Sequence, residues 1–544
     1  MKPKYALLGA GVMAMGSGCQ QAAEQVKVDS GPNIIVILAD DMGYSDLGCY
    51  GSEIQTPNLD QLAEKGIRLT RFYNSSRCCP TRASLLTGLY QHNTGMGWMT
   101  AADLNHEGYT GDLNNQCATI PELLKSAGYM NYMTGKWHVT SEKYTGKDGP
   151  KHNWPIQRGF DKFFGTLKGG GNYFDPPSLA VDNQHVETPG NFYYTDAISD
   201  TSVQYIHRHV AVTPDQPFFM YVAYTAPHWP LHAKPEDIEK YKGSYMAGWD
   251  SLRVKRFNRM IELGIIDSSV SLPPRDPDVA AWDSYSDEEK KWWDLRMAIY
   301  AAQIDCMDQG IGRIINALDS TGILDNTMII FLSDNGACSE KIPDLAKSKK
   351  WEDMGTEKSF ESYRKPWANF SNTPLKLYKK FEHEGGIATP FIMYWPGKTK
   401  VNQVNTSQVG HVIDFMPTFL DIAGVEYPST FKGDTLHPLP GKSLLSFING
   451  KEFEREPLFW EHEAKRAVLV GDWKLVALAG DPPTHEGEWK LYNVKDDRTE
   501  TQDLAGKYPE KVEKLERLWK KWAIENKVLP LDGRGWHSRL HPGK

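Results

Sequence analysis

The stretch Cys78-Cys79-Pro80-Thr81-Arg82-Ala83-Ser84-Leu85-Leu86-Thr87-Gly88 holds the residues best placed to do chemistry. A cysteine that opens a helix, with Pro80 near the first helical position and Arg82 one turn on, stands at a positive helix end beside a guanidinium. Such a position suits an anionic substrate. Alone, Cys78-Cys79 also reads as a structural pair at a helix start. Two further clusters, Asp40-Asp41 and Asp334-Asn335, offer only oxygen donors and suit Ca²⁺ or Mg²⁺, not Zn²⁺. Each is equally a common polar turn when taken singly. Lys136 and His138 share Gly-Lys-Trp-His, and His228 sits in Ala-Pro-His-Trp-Pro. A lone histidine in such a place is more often structural than catalytic.

The elements that must position these residues are legible as short apolar runs. Asn33 to Leu38 and Met328 to Leu332 are continuous β-rich runs, the pattern of strands covered on both faces, and they end in the two acidic clusters. Phe218 to Ala223 ends just before His228, and the weaker Tyr129 to Thr134 ends in Gly135-Lys136-Trp137-His138. Between them Asn58 to Lys65, Ile120 to Ala127 and Trp292 to Leu318 carry apolar residues at helical spacing. This alternation predicts an α/β fold: a large, doubly wound, mostly parallel sheet flanked by helices, with ligands bound beyond the carboxyl ends of the strands. Lys341 to Asn372 is polar, aromatic and without period, and reads as a pocket wall.

Near Gly441 the pattern changes. Leu458 to Glu461, Ala467 to Val470, Trp473 to Val476 and Trp489 to Tyr492 read as an antiparallel sheet. A closing helix spans Pro509 to Asn526, with Val512, Leu515, Leu518, Trp519 and Trp522 on one face. The chain divides accordingly into an export segment (1–24), a catalytic domain (25–440) and a smaller α+β subdomain (441–544).

A chain of 544 residues with 40% hydrophobic and 24% charged residues is long enough for a large core and is ordinary for a globular protein. Its net charge of -8 argues against general nucleic-acid affinity but leaves room for a locally positive site. Lys2 and Lys4 before the apolar run Tyr5 to Met15 read as an export signal. Met15-Gly16-Ser17-Gly18-Cys19 is similar to a bacterial lipoprotein box, with Gly16 where leucine is usual, so Cys19 is a candidate lipid anchor in the periplasm or outer membrane. The remaining five cysteines, after Cys19 and Cys78, show no disulfide spacing.

Cys78, Pro80, Arg82 and Leu86-Thr87-Gly88 together resemble the signature of the type I sulfatases, an alkaline-phosphatase-like family. The resemblance runs from Asn33 to about Trp522 and includes Asp497-Arg498-Thr499-Glu500. Trp367-Ala368-Asn369 followed by Asn372-Thr373-Pro374 is similar to the arylsulfatase branch. The resemblance implies that a formylglycine-generating enzyme oxidises Cys78 to an aldehyde whose hydrate attacks the sulfur of a sulfate ester. It implies Ca²⁺, with Mg²⁺ second, bound by Asp40, Asp41, Asp334, Asn335 and the modified residue 78. Arg82, Lys136 and Lys379 would neutralise the sulfate, His228 or Lys379 would protonate the leaving alcohol, and His138 would deprotonate the second hydroxyl. Lys379 is assigned from its place five residues before Glu384-Gly385-Gly386; Lys376 and Lys380 compete for the role.

The expected substrate is a sulfated carbohydrate, with walls drawn from Trp229, His232, Trp351, Trp367 and His462. The Arg364-Lys365 pair, where that branch tends to have small residues, reads either as a preference for polyanions or as a solvated loop. Two other readings share parts of the pattern: a phosphate or phosphonate monoester hydrolase on the same fold, and a lipoprotein that binds sulfated glycans without turnover.

Overall fold

The computed structural model describes residues 31–342, 345–480 and 486–540; the expected export segment and the expected lipid acceptor Cys19 lie outside them. Ten strands form one sheet: β1 (Asn33–Ala39), β2 (Ile67–Tyr73), β3 (Met130–Lys136), β4 (Lys162–Thr166), β5 (Leu179–Val181), β6 (Gln184–His185), β7 (Phe218–Ala223), β8 (Thr327–Ser333), β9 (Phe391–Tyr394) and β10 (Gln403–His411). Their order is β10-β2-β9-β8-β1-β7-β3-β4-β5-β6. The centre, β8-β1-β7-β3-β4, is parallel throughout. β9 runs antiparallel to both its neighbours, and β5 and β6 form an antiparallel edge.

Alternate residues of the central strands feed two cores. Ile35 and Ile37 of β1 pack on one side with the long helix Asp287–Ser320, whereas Ile34, Val36 and Leu38 pack on the other with helices Cys78–Thr87 and Phe415–Ala423. Burial on both faces explains why these strands read as unbroken apolar runs. Each fully buried Ile, Val or Leu contributes about 1.5–3 kcal/mol from removal of apolar surface from water.

The helices differ from expectation mainly at their ends. The long helix begins at Asp287 and not Trp292, because Ser286 and Glu289 form a capping box that satisfies its first N–H groups. The expected helix Ile120 to Ala127 holds α geometry only to Leu124; Lys125–Ala127 tighten into a 3₁₀ turn that Gly128 closes at φ 79°. Glu384–Ile387, just before β9, is one turn of helix.

Beyond this sheet, Leu458–His462, Lys465–Val470, Trp473–Ala479 and Glu486–Asn493 form the small antiparallel sheet. The helix Pro509–Glu525 covers it. Leu515, Trp519 and Trp522 are buried, and Val512 and Leu518 are half-buried. The six described cysteines are all free and buried. No described helix is long and apolar enough to cross a membrane.

Of the residues expected in the pocket walls, Trp367, His232 and His462 are buried. Trp367 is sealed among Trp249 and Tyr245, at 5.3 and 5.6 Å between ring centroids, because its indole N–H finds the Trp293 carbonyl at 2.8 Å inside the core. His232 is also fully buried; its Nε2 lies 2.9 Å from the Ser359 carbonyl and its Nδ1 lies 3.4 Å from the Tyr173 N–H. Burial holds this imidazole down at about 4. Below its ordinary value the unfolded chain takes up a proton that the folded chain refuses, so stability falls as pH drops from about 6.5 towards 4. A neutral His232→Gln variant should lose this one-proton contribution, a slope of about 1.4 kcal/mol per pH unit. Urea unfolding at several pH values checks it, and identical slopes in both proteins would refute the assignment.

Candidate active site

Strand register brings the chemistry together. Ala39 of β1 faces Ser333 of β8, and Leu38 faces Ala223 of β7, which in turn faces Gly135 of β3. The parallel strands therefore release their chains at one edge. Asp40 and Asp41, Asp334 and Asn335, His228, and Lys136 and His138 all emerge there, and all are buried.

Residue 78 reaches this edge from a different layer. Cys78 is the first residue of helix Cys78–Thr87, and all ten of its residues are buried. Pro80 occupies the third helical position, one of the first four whose N–H groups lack a helical partner, so its missing donor breaks no bond. Gly88 ends the helix at φ 71°, a left-handed conformation that glycine adopts without strain.

Each carboxylate has its own cation. Lys136 Nζ lies 2.5 Å from Asp40 Oδ2. Lys379 Nζ lies 2.6 Å from Asp41 Oδ1. Arg82 donates from Nε at 3.1 Å and Nη2 at 2.8 Å to Asp334 Oδ2, and from Nη1 to the Lys136 carbonyl at 2.9 Å. The three lysines of the 376–380 segment separate cleanly. Lys376 binds the Glu500 carbonyl at 2.8 Å and Lys380 pairs with Glu340 at 2.5 Å, so only Lys379 reaches the acidic cluster.

The electrostatics follow from burial and pairing. Burial opposes ionisation of Asp41, yet Lys379 and His228 hold its carboxyl well below the usual range. Asp334 goes the other way: burial and the adjacent Asp40 push it up to about 8, against the pull of Arg82. A hydrogen bond with Cys79 lowers the Cys78 thiol against burial, helped by Lys136, His138 and Lys379. His138 and His228 are both held down to about 4, first by burial and then by nearby cations.

This donor set fits a hard dication. Asp40 Oδ1 and Asn335 Oδ1 are buried without a hydrogen-bond partner, in the midst of three carboxylates. Such orphaned acceptors are costly unless something binds them. Asp41 spans the set: it takes Asn335 Nδ2 at 2.7 Å, and its Oδ2 lies 3.5 Å from His228 Nε2.

Several contributors carried no obvious sequence signal. The Cys79 thiol lies 3.2 Å from His138 Nε2 and hydrogen-bonds Cys78, so the second cysteine touches both the histidine and the first cysteine. Gly169 and Gly170 cross over the two histidines; a Cβ there would sit 2.2 Å from His138 Cε1 and 2.9 Å from His228 Cε1. The Gly169-Gly170-Gly171 run was the clue available. Asn372 ties three active-site loops together. Its Oδ1 accepts from the N–H groups of Tyr44 at 3.3 Å and Ala337 at 3.0 Å; its Nδ2 donates to the carbonyls of Leu377 at 2.8 Å and Gly385 at 2.6 Å.

Fold and site define an ester hydrolase of the alkaline-phosphatase-like superfamily. The chain belongs to the sulfatase family: it matches the family description "Sulfatase" over residues 32–425, and "N-sulphoglucosamine sulphohydrolase, C-terminal" over 376–526. It is an enzyme that hydrolyses sulfate esters. It is 35% identical to an arylsulfatase of Klebsiella aerogenes, over 85% of this chain and 99% of that one. It is 28% identical to an N-acetylglucosamine-6-O-sulfatase of Bacteroides thetaiotaomicron, over 95% of this chain and 90% of that one. Among solved structures, Ps i-CgsB in complex with k-i-k-neocarrahexaose has a TM-score of 0.66 at 25% identity, over 94% of this chain and 98% of that chain.

Asn372→Ala strips partners from two buried N–H and two carbonyl groups, each worth about 1–3 kcal/mol when left unpaired. The variant should lose at least about 3 kcal/mol of stability in urea unfolding and turn over aryl sulfate at least tenfold more slowly. Wild-type stability and turnover together would remove Asn372 from the site's framework.

Proposed function

We propose that the enzyme cleaves sulfate esters on sulfated carbohydrate, with residue 78 acting as formylglycine made from Cys78 and Ca²⁺ as the metal. The observation that carries this reading is a buried residue 78 ringed by three carboxylate–cation pairs, two of whose neighbouring acceptors are unsatisfied. The N-acetylglucosamine-6-O-sulfatase relative and the oligosaccharide complex of Ps i-CgsB support a sugar substrate. The same reading has the chain exported, with Cys19 as lipid acceptor and a formylglycine-generating enzyme as maturation partner.

Asp40, Asp41, Asp334 and Asn335 would hold the metal, with residue 78 as a further ligand. Bound there, the ion would orient and acidify a hydroxyl on residue 78 and offset negative charge on the sulfate. A hydrated aldehyde at residue 78 supplies one hydroxyl to attack sulfur and a second whose deprotonation releases the sulfate.

The remaining work falls to the chain's own side chains. Arg82, Lys136 and Lys379 bind the sulfate oxygens and stabilise charge that shifts onto them in the transition state. Lys379, held protonated beside Asp41, carries a proton at neutral pH for the leaving alcohol. His228, held at about 4, serves as that donor only once the anionic ester adds negative charge beside it. His138 is neutral for the same reason of burial, the state a base needs to take the proton of the second hydroxyl. Walls from Gly169 and Gly170 keep both rings in place.

Cys78→Ala should lower kcat on 4-nitrophenyl sulfate by at least about 10³-fold, as removal of a nucleophile does. In active enzyme the peptide containing residue 78 should weigh about 18 Da less than the thiol form, or the same when hydrated, by the composition of the oxidised group. Blocking with iodoacetamide separates the hydrate from the thiol, and a fully alkylated peptide from active enzyme would sink the mechanism. Chelation with EDTA should abolish turnover, and Ca²⁺ should restore it better than Mg²⁺; full activity after exhaustive chelation would rule the metal out.

A further inference from the structure

Two of the open cavities that lie away from residue 78 are distinguished by their charge. The larger, about 1030 Å³, has the carboxylates Asp196, Asp200, Glu239, Glu352 and Glu357 against three cations, Lys234, Lys242 and Arg313. An acidic wall of this kind repels a polyanion. The smaller, about 510 Å³, reverses the balance: among the described residues Arg296, Lys341, Lys350 and Arg364 line it with Glu289 and Glu361. In a chain of net charge -8 this is a local concentration of positive charge.

The same groove is aromatic. Tyr285, Trp292, Trp293 and Phe360 line it and are half-buried. Trp292 meets Trp351 edge-on at 4.9 Å, which fixes the plane of its ring. Arg296 lies over Trp293 at 5.0 Å and shares Glu361 with Arg364, at 3.3 and 3.0 Å. Two guanidiniums on one carboxylate leave a positive charge for a ligand. Lys365, the other half of the Arg364-Lys365 pair, pairs instead with Asp278 at 2.6 Å.

Two links join the groove to the reaction centre. Phe360 packs on Trp229 at 5.9 Å, and Trp229 lies against His228 at 4.5 Å. Lys341 follows Glu340, which pairs with Arg77, the neighbour of residue 78, at 3.0 Å and accepts from the Trp229 indole at 3.1 Å.

We infer that this groove is a distal subsite for a sulfated oligosaccharide. A sugar ring stacks on Trp292, and a second sulfate, beyond the one being cleaved, is neutralised by Lys341, Lys350 and Arg364. Indoles offer a large rigid apolar face, and lysine and arginine bind sulfate oxygens through charge-assisted hydrogen bonds. The inference rests on the sulfatase reading and adds a preference for multiply sulfated chains over isolated esters.

Inhibition of 4-nitrophenyl sulfate hydrolysis by two probes, a heparin-derived hexasaccharide and a sulfated neocarrahexaose, tests it, with unsulfated chitohexaose as the blank. The double variant Lys341→Glu/Lys350→Glu should raise the inhibition constant of at least one sulfated probe fivefold or more, and Trp292→Ala about threefold. Both should keep kcat and KM on 4-nitrophenyl sulfate within twofold, which also shows that they fold. Equal inhibition of wild type and variants overturns the subsite, as does no inhibition of wild type by either probe or equal inhibition by chitohexaose. If wild type fails to hydrolyse the aryl sulfate, the catalytic reading falls on its own. Titration calorimetry with the same oligosaccharides then still compares the groove in wild type and variants.

Discussion

Buried charge is the constraint on which the rest of this structure depends. Three carboxylates cannot be taken out of water at one sheet edge unless each is matched, because an unpaired buried ion is costlier than any single contact that could hold it there. Lys136, Lys379 and Arg82 supply the match, one cation for each of Asp40, Asp41 and Asp334. These three cations come from separate parts of the chain: the end of β3, the loop before β9, and the helix that begins at Cys78. The requirement for charge balance thus couples distant segments and gives the site a rigidity that local structure could not.

A second buried charge cluster holds the Lys379 loop from behind. Lys474 of the small antiparallel sheet pairs with Glu384 and Glu500, both at 3.0 Å, and Arg498 reaches Glu384 at 3.3 Å. The Glu384 N–H donates to Glu500 at 2.8 Å, and the Tyr73 hydroxyl donates to Glu384 at 3.1 Å. Burial raises Glu500 to about 7, whereas Lys474 and Arg498 outweigh burial at Glu384 and lower it. The C-terminal sheet is therefore more than an appendage. It fastens the turn that carries Lys379, and breaking such a buried pair by removing one partner typically costs about 3–5 kcal/mol.

How much of this was legible in the sequence depends on the range of the interaction. β1, β7 and β8 announced themselves because burial on both faces makes a short, β-branched or aromatic apolar run that ends in a polar cluster. The antiparallel course of β9 left no trace in Phe391 to Tyr394, since strand direction is set by the path of the chain outside the strand. Trp367 looked like a wall residue because a tryptophan in a polar stretch carries no mark of which way it faces. Asn372 and Cys79 were visible as residues but not as contributors, because their worth lies in partners up to 328 positions away along the chain. Lys379 could not be separated from Lys376 and Lys380 until the loop's path sent each to a different anion.

By itself the amino-acid sequence determined the kind of chemistry. A cysteine, proline and arginine at fixed spacing on a helix start, and carboxylates at the ends of apolar runs, are local patterns, and local patterns survive without a fold. Only the tertiary structure decided that these pieces meet. The register of four parallel strands aligns their carboxyl ends, and the resulting burial forces each acid to a cation. The same folding gathered Trp292, Arg296, Lys341 and Lys350 from two segments into one basic, aromatic groove. The lysines come from one segment and the tryptophans from the other, and proximity in space makes them one surface.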